Sequence, residues 1–159
     1  MLLAGGTPKL EELYLYCCGL DDAAGAQIAA GLAGMDALRI IKLQSNPELG
    51  SRFGEALGAV LLAGGAPKLE ELILNHCGLD DDAGARIAAG LEGAGVLGRL
   101  RLHTKPGMGS SCAGARGAAL LAGGWPKLEE LFVSRCGLGA DDKAQFRKAN
   151  VGRQVKKYI

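Results

Sequence analysis

His76 and Cys77 stand side by side, and a thiol next to an imidazole is a pairing that nucleophilic catalysis and metal ligation both use. His103 is the other histidine, and Cys17, Cys18, Cys112 and Cys136 bring the thiols to five. Asp21–Asp22 and Asp80–Asp81–Asp82 are carboxylate clusters of the sort that hold calcium. The run Pro106–Gly117, PGMGSSCAGARG, has the glycine density of a phosphate-cradling loop. None of these assembles into a working set. Neighbouring residues of an extended strand face opposite ways, so the Cys77 thiol is expected inward and the His76 imidazole outward. His76 and His103 fall in adjacent strand positions, but no further Cys or carboxylate completes a zinc set. The aspartates precede helical patterns, where N-capping and the helix dipole explain them. The glycine-rich run lacks the GK[ST] ending of a phosphate loop. The sequence therefore predicts no catalytic residue, no metal site, no cofactor and no enzyme.

The elements that carry these residues are set by a repeat. LLAGGTPKLEEL, LLAGGAPKLEEL and LLAGGWPKLEEL begin at Leu2, Leu61 and Leu120, a period of 59 residues (61 − 2 and 120 − 61). After each Pro-Lys comes L-x-x-L-x-L-x-x-C-x-L: Leu10, Leu13, Leu15, Cys18, Leu20; Leu69, Leu72, Leu74, Cys77, Leu79; Leu128, Leu131, Val133, Cys136, Leu138. Two related units lie between them, Leu38, Ile41, Leu43, Asn46, Leu49 and Leu97, Leu100, Leu102, Lys105, Met108. Fixed-period units of this length indicate stacked modules rather than one globular core.

This pattern resembles the leucine-rich repeat, specifically its long-repeat, ribonuclease-inhibitor-like subfamily, in which Cys-type and Asn-type units alternate and each carries a full helix. The resemblance implies an α/β leucine-rich-repeat solenoid of about five repeats, with short parallel strands on the concave face and helices on the convex face. It implies a protein-binding role. Activators of the Ran-type GTPase are similar in their long repeats, and Asn46 and Arg52 are the turn residues to consider for that alternative, with no motif match to assign either a role.

The physics agrees with the resemblance. Leucines at positions 1, 4 and 6 combine a period-2 strand with an inward turn. Position 9 sits where the chain bends and backbone groups need partners; an Asn side chain can bond them, and a small thiol can fill the same slot. Leu49, Phe53, Leu57 and Leu61 then recur at helical spacing. Gly-Gly ends the helix and Pro stiffens entry to the next strand. Interior glycines in AQIAAGLAG and ARIAAGLEG cost roughly 0.5–1 kcal/mol each relative to Ala, so thin, weakly stable helices are expected.

Cys18, Cys77 and Cys136 share one column two repeats apart, roughly 10 Å at a strand spacing of about 4.8 Å, beyond the ~7 Å reach of a disulfide. They are expected as buried free thiols, with Cys17 facing solvent and Cys112 on a helix. Unpaired thiols favour a reducing compartment, cytoplasm or nucleus, and a cytoplasmic location is expected. Net charge is +1 with pI near 7.6, so no global field draws nucleic acid or an anionic membrane. No apolar run reaches membrane-spanning length, and the first residues lack the charge and apolar run of a secretory signal.

Residues 1–138 are read as the repeats, the first incomplete, and 139–159 as a polar, basic terminal helix or cap with Lys143, Arg147, Lys148, Arg153, Lys156 and Lys157. Met1 falls in the phase of a helix interior, so the first strand is expected to lack a cap. That marks a fragment, a truncated gene model or an edge covered by a partner, and it makes self-association through the N-terminal edge a route to consider.

Function is expected on the concave columns, at positions 3, 5, 7 and 8. Position 3 reads Glu12, Ile40, Glu71, Arg99, Glu130, and position 5 reads Tyr14, Lys42, Ile73, Arg101, Phe132. Position 7 reads Tyr16, Gln44, Asn75, His103, Ser134, and position 8 reads Cys17, Ser45, His76, Thr104, Arg135. Aromatic and Arg side chains beside carboxylates are typical of interface hot spots. The residues expected to contact a protein partner are Tyr14, Tyr16, Lys42, Gln44, Ile73, Asn75, Arg99, Arg101, His103, Phe132 and Arg135. Trp125, in a turn where the other copies have Thr7 and Ala66, is either an exposed contact residue or packed on the terminal helix.

Overall fold

The computed structural model describes residues 9–103, 125–134 and 156–158, with the helical positions Ala140, Ala144 and Lys148. Strands and helices alternate: β1 Glu12–Tyr14, α1 Asp22–Gly31, β2 Ile40–Lys42, α2 Ser51–Leu62, β3 Glu71–Ile73, α3 Asp81–Gly90, β4 Arg99–His103, β5 Glu130–Ser134 and β6 Lys156–Tyr158. All six strands form one sheet in chain order, and every pairing is parallel. The register keeps the repeat phase. Glu12, Ile40, Glu71, Arg99 and Glu130 lie opposite one another, as do Tyr14, Lys42, Ile73, Arg101 and Phe132. β6 pairs Lys156 with Glu130 and Tyr158 with Phe132. It lies in the terminal segment whose pattern marks only a polar helix or cap, and it carries the sheet one strand past the five read from the repeat.

The inward leucines form the core between sheet and helices. Leu38, Ile41 and Leu43 of one unit and Leu69, Leu72 and Leu74 of the next are buried, facing Leu32, Phe53, Leu57, Ile87 and Leu91 from the helical side. Each fully buried side chain of this size contributes about 1.5–3 kcal/mol over an exposed one. Trp125 is fully buried, and its Nε1–H donates to the Leu91 carbonyl at 2.5 Å, at the C-terminal end of α3. An exposed role for Trp125 is thereby overturned: in this repeat the turn position that holds Thr7 or Ala66 elsewhere fills the space beyond a helix end.

After β1, β2 and β3 the chain turns inward through a left-handed residue. Cys17, Ser45 and His76 have φ of 55°, 62° and 58°. This conformation costs a non-glycine residue roughly 1–2 kcal/mol. It sends position 9 into the core, so the opposite facing of exposed His76 and buried Cys77 arises from this turn, because β3 has already ended at Ile73. Asn46 shows why the slot is polar. Fully buried, it donates through Nδ2 to the Leu15 and Leu43 carbonyls at 2.9 and 2.7 Å, and its Oδ1 accepts from the amides of Cys18 and Leu20 at 3.0 and 3.1 Å. Two donors and two acceptor sites are all used. Cys77 answers the same slot with its thiol donating to the Leu43 carbonyl at 3.3 Å, and burial, partly offset by the Asn46 backbone, pushes that thiol up to about 11. Cys18 does not follow. It is exposed, and its thiol donates to the Tyr16 carbonyl of its own turn at 3.4 Å. Cys77 lies under the Leu43 carbonyl of the preceding unit, and the residues ahead of β1 that would take that place for Cys18 lie outside the described residues. Cys112 and Cys136 lie outside the described residues.

The helices are joined across repeats by features that spacing does not reveal. A Cβ on Gly54 would run into Ala83, and one on Gly58 would lie 2.6 Å from the Arg86 carbonyl oxygen. Gly54 and Gly58 are thus contact surfaces that let α2 and α3 approach backbone to side chain. Capping is shared in the same way. Asp21 and Asp80 cap their own helices, accepting from the amides of Ala24 at 2.7 Å and Ala83 at 2.8 Å. The start of α2 has no side-chain cap from Gly50, its N-cap residue. Asp22 of the preceding helix supplies it, accepting from the amides of Gly50 at 2.9 Å, Phe53 at 2.8 Å and Arg52 at 3.2 Å. Ser51 in turn donates its hydroxyl to Asp80, the cap of α3, and that bond, with the Ala83 amide, holds the Asp80 carboxyl below its usual range. The aspartate clusters therefore link the helix starts along the convex side; the side chain of Asp81 lies outside the described residues.

Candidate functional site

Strand alternation points positions 3 and 5 away from the core, and parallel register stacks them into columns. The side chains in those columns connect strand to strand. Tyr14 donates its hydroxyl to Glu12 Oε2 at 2.7 Å, and this bond raises the phenol above its ordinary value. Lys42 Nζ lies 5.2 Å from the centre of the Tyr14 ring, within cation–π range, and 3.1 Å from Glu71 Oε2. Arg99 pairs with Glu71 on one side and, through Nε, with Glu130 Oε2 at 3.4 Å on the other. Arg101 Nε meets Glu130 Oε1 at 2.5 Å. The lattice Glu12–Tyr14–Lys42–Glu71–Arg99–Glu130–Arg101 thus crosses β1 to β5 without a break. Glu71 and Glu130 sit deeper than the arginines they hold: their side chains are 18% and 13% exposed, those of Arg99 and Arg101 40% and 44%.

A second ladder, at position 2, runs beside it. Arg39 is 3.9 Å from Glu11 and donates to both carboxylate oxygens of Glu70, at 3.0 and 2.9 Å. That fork holds the Glu70 carboxyl down and raises the Arg39 guanidinium. Position 2 reads Glu11, Arg39, Glu70, Gly98, Glu129 in the sequence, with Arg39 between two glutamates, so column reasoning could have found these residues by extending one place toward the strand entry.

The expected contact residues divide. Tyr14 and Tyr16 are the exposed large apolar side chains of the concave side, at 44% and 53%. Lys42, Gln44, Asn75, Arg99 and Phe132 are half-buried, and Arg101 is exposed. Gln44 Oε1 is buried without a hydrogen-bond partner. Ile73 is buried: it lies between Lys42 and Arg101 in its column, and the longer neighbours leave it 6% of its surface. It serves the face as filling. Arg135, Thr104 and the side chain of His103 lie outside the described residues, as do Pro106–Gly117 and most of the basic tail.

Among the described residues, recesses open along this surface and between helix ends. One, about 180 Å³, opens between Asn75, His76, Arg101 and Phe132 at the strand-exit side. A second, about 310 Å³, lies at the strand-entry side and includes Glu70, Glu71, Arg99, Lys127 and Glu129. A third, about 230 Å³, lies between the C-terminal ends of α2 and α3, bordered by Leu61, Leu62 and Pro67. Among the described residues no group of three His, Cys, Asp or Glu side chains could hold a metal ion. Nor is any helix there long and apolar enough to cross a membrane.

The architecture and its polar turn slot define an α/β leucine-rich-repeat solenoid. No protein-family model matches the chain, and no curated protein matches it. Among solved structures it is similar to a tropomodulin C-terminal domain from Caenorhabditis elegans, with a TM-score of 0.72 and 11% sequence identity, covering 89% of this chain and 83% of that one. At that identity the likeness concerns the fold.

Proposed function

We propose that this chain is a non-catalytic protein–protein interaction scaffold of the ribonuclease-inhibitor-like, long alternating-repeat type, acting in the cytoplasm and engaging its partner with the concave face. The observation that carries the reading is the charge lattice from Glu12 to Arg101 with Tyr14 and Tyr16 exposed on it. Rigid aromatic anchors among pre-ordered charges are what protein interfaces use for affinity and specificity. The pairing of cations with carboxylates, at a formal net charge of +1, favours a protein over nucleic acid or a membrane surface. Self-association along the outer edge of β1 belongs to the same reading and is measured as concentration-dependent mass in light scattering.

The alternative, a Ran-type GTPase activator, needs a polar turn residue able to reach a nucleotide. Asn46 is fully buried and all its hydrogen-bonding capacity is committed to backbone, which removes one of its two candidates. The test is cross-linked capture from cell extract with the native chain, a Tyr14→Ala/Tyr16→Ala/Phe132→Ala variant and a convex-side Leu62→Ala control. The expected result is a captured set lost in the triple variant and kept in the control. Equal capture by all three would place recognition elsewhere, and faster nucleotide hydrolysis by small GTPases on adding the chain would restore the alternative.

A further inference from the structure

The concave lattice is not balanced along its length. Among the described side chains, Lys42, Arg99 and Arg101 share two carboxylates: Glu71 meets Lys42 and Arg99, and Glu130 meets Arg99 and Arg101. The remaining carboxylate of the lattice, Glu12, lies on β1 and accepts from Tyr14. Positive charge is therefore in excess toward the β4 end, and Arg101, the most exposed of the lattice arginines, stands there. The 180 Å³ recess opens at this point. Its described lining is a guanidinium, an imidazole, a carboxamide and a phenyl ring, with no carboxylate among the four. The volume is below the roughly 300–1,000 Å³ of pockets that enclose whole small molecules, and it suits one side chain.

We propose that the recess formed by Asn75, His76, Arg101 and Phe132 is the anchoring pocket for an acidic side chain of a partner polypeptide, its carboxylate on Arg101 and Asn75 and its neighbouring apolar residue against Phe132. The inference rests on the concave-face reading and assigns its specificity. Charge complementarity selects the occupant. A carboxylate relieves the three-to-two excess, whereas a basic side chain would meet Arg101 directly. Arg101 is pre-ordered by its Nε bond to Glu130, so little side-chain freedom is lost when its outer edge takes a second carboxylate. Phe132 supplies the apolar wall that shields such a contact from water.

The experiment uses two blocked pentapeptides, acetyl-Gly-Leu-Glu-Leu-Gly-amide and the same peptide with Gln in place of Glu, titrated to about 10 mM into the isotopically labelled chain and followed by NMR. The expected result is movement of the Asn75, His76 and Arg101 signals by the Glu peptide, with at least fivefold tighter binding than its Gln twin. In Arg101→Gln, whose melt serves as a folding control, that preference is expected to vanish. Equal binding of the twins, shifts elsewhere, no shift at all, or a preference that survives in Arg101→Gln would overturn the assignment. If the preference is absent while the triple concave variant still loses its captured partners, the pocket falls and the scaffold reading stands. If capture also survives that variant, both fall.

Discussion

On the convex side, α2 meets α3 across Gly54 and Gly58, where a single added methyl would strike Ala83 or the Arg86 carbonyl. On the concave side, Lys42, Glu71, Arg99, Glu130 and Arg101 hold one another through ion pairs whose arginines remain two-fifths exposed or more. The first surface is governed by shape and tolerates no addition. The second is governed by charge and can exchange partners, because solvated ion pairs contribute little to folding. A solenoid can therefore vary its concave residues freely while its helix seam stays fixed, which separates the residues that recognise from those that hold.

The largest break comes where the two faces join. Asn46→Ala removes four hydrogen bonds and leaves two carbonyls and two amides of the first two turns to find water or go unpaired. The expected loss is about 3–5 kcal/mol in chemical denaturation. A loss below about 1 kcal/mol would show that packing, and not the hydrogen bonds, fills the slot.

Cys77 gives a test with a sign. Burial raises its thiol to about 11 in the folded chain, above the unfolded thiol range near 8.5. The folded state thus holds the proton more tightly. The stabilisation is fully present below about pH 8.5 and is lost as pH rises toward 11. The native chain should lose roughly 2–3 kcal/mol more than Cys77→Ala across that window. Parallel pH–stability curves for the two would contradict it. At neutral pH, thiol reagents should label Cys17 and Cys18 well before Cys77.

Gly58→Ala reads the seam itself. Helix propensity alone predicts a gain of roughly 0.5–1 kcal/mol, whereas the Arg86 carbonyl 2.6 Å from the new methyl predicts a net loss of about 1–3 kcal/mol. Gly93→Ala, with open space around its Cβ, is the control and should change stability little. A stabilised Gly58→Ala would dissolve the contrast between the faces.

These residues also mark how far the sequence reaches. The columns were legible because strand alternation and a fixed repeat phase determine which residues share a face, and the Asn46 slot was legible because a buried turn must satisfy its backbone. What lay beyond it depends on contacts between repeats. Asp22 looks like a cap for α1 until the stacking brings the start of α2 to it. Gly54 and Gly58 look like weak points in a helix until α3 lies against them. Cys18 and Cys77 are identical in pattern, yet Cys18 is exposed and Cys77 is buried under the Leu43 carbonyl of the preceding unit. Ile73 shares a column with exposed residues, but exposure depends on the length of its neighbours.

The smallest expected effect tests the concave side most directly. A double-mutant cycle on Lys42→Ala and Glu71→Ala isolates their pairing from the loss of each side chain. The Lys42 and Glu71 side chains are 28% and 18% exposed, and Glu71 is shared with Arg99, so removing Lys42 leaves the carboxylate one of its two cations. The coupling should be at or below about 1 kcal/mol. It should shrink further as salt rises toward 1 M, where the screening length falls to about 3 Å. The cost of Gly58→Ala should not change with salt, because steric overlap carries no charge. A coupling of several kcal/mol that resists salt would mean that the lattice is a structural element, fixed as firmly as the helix seam. Its residues would then be poor candidates for exchanging one another for the carboxylate of a partner.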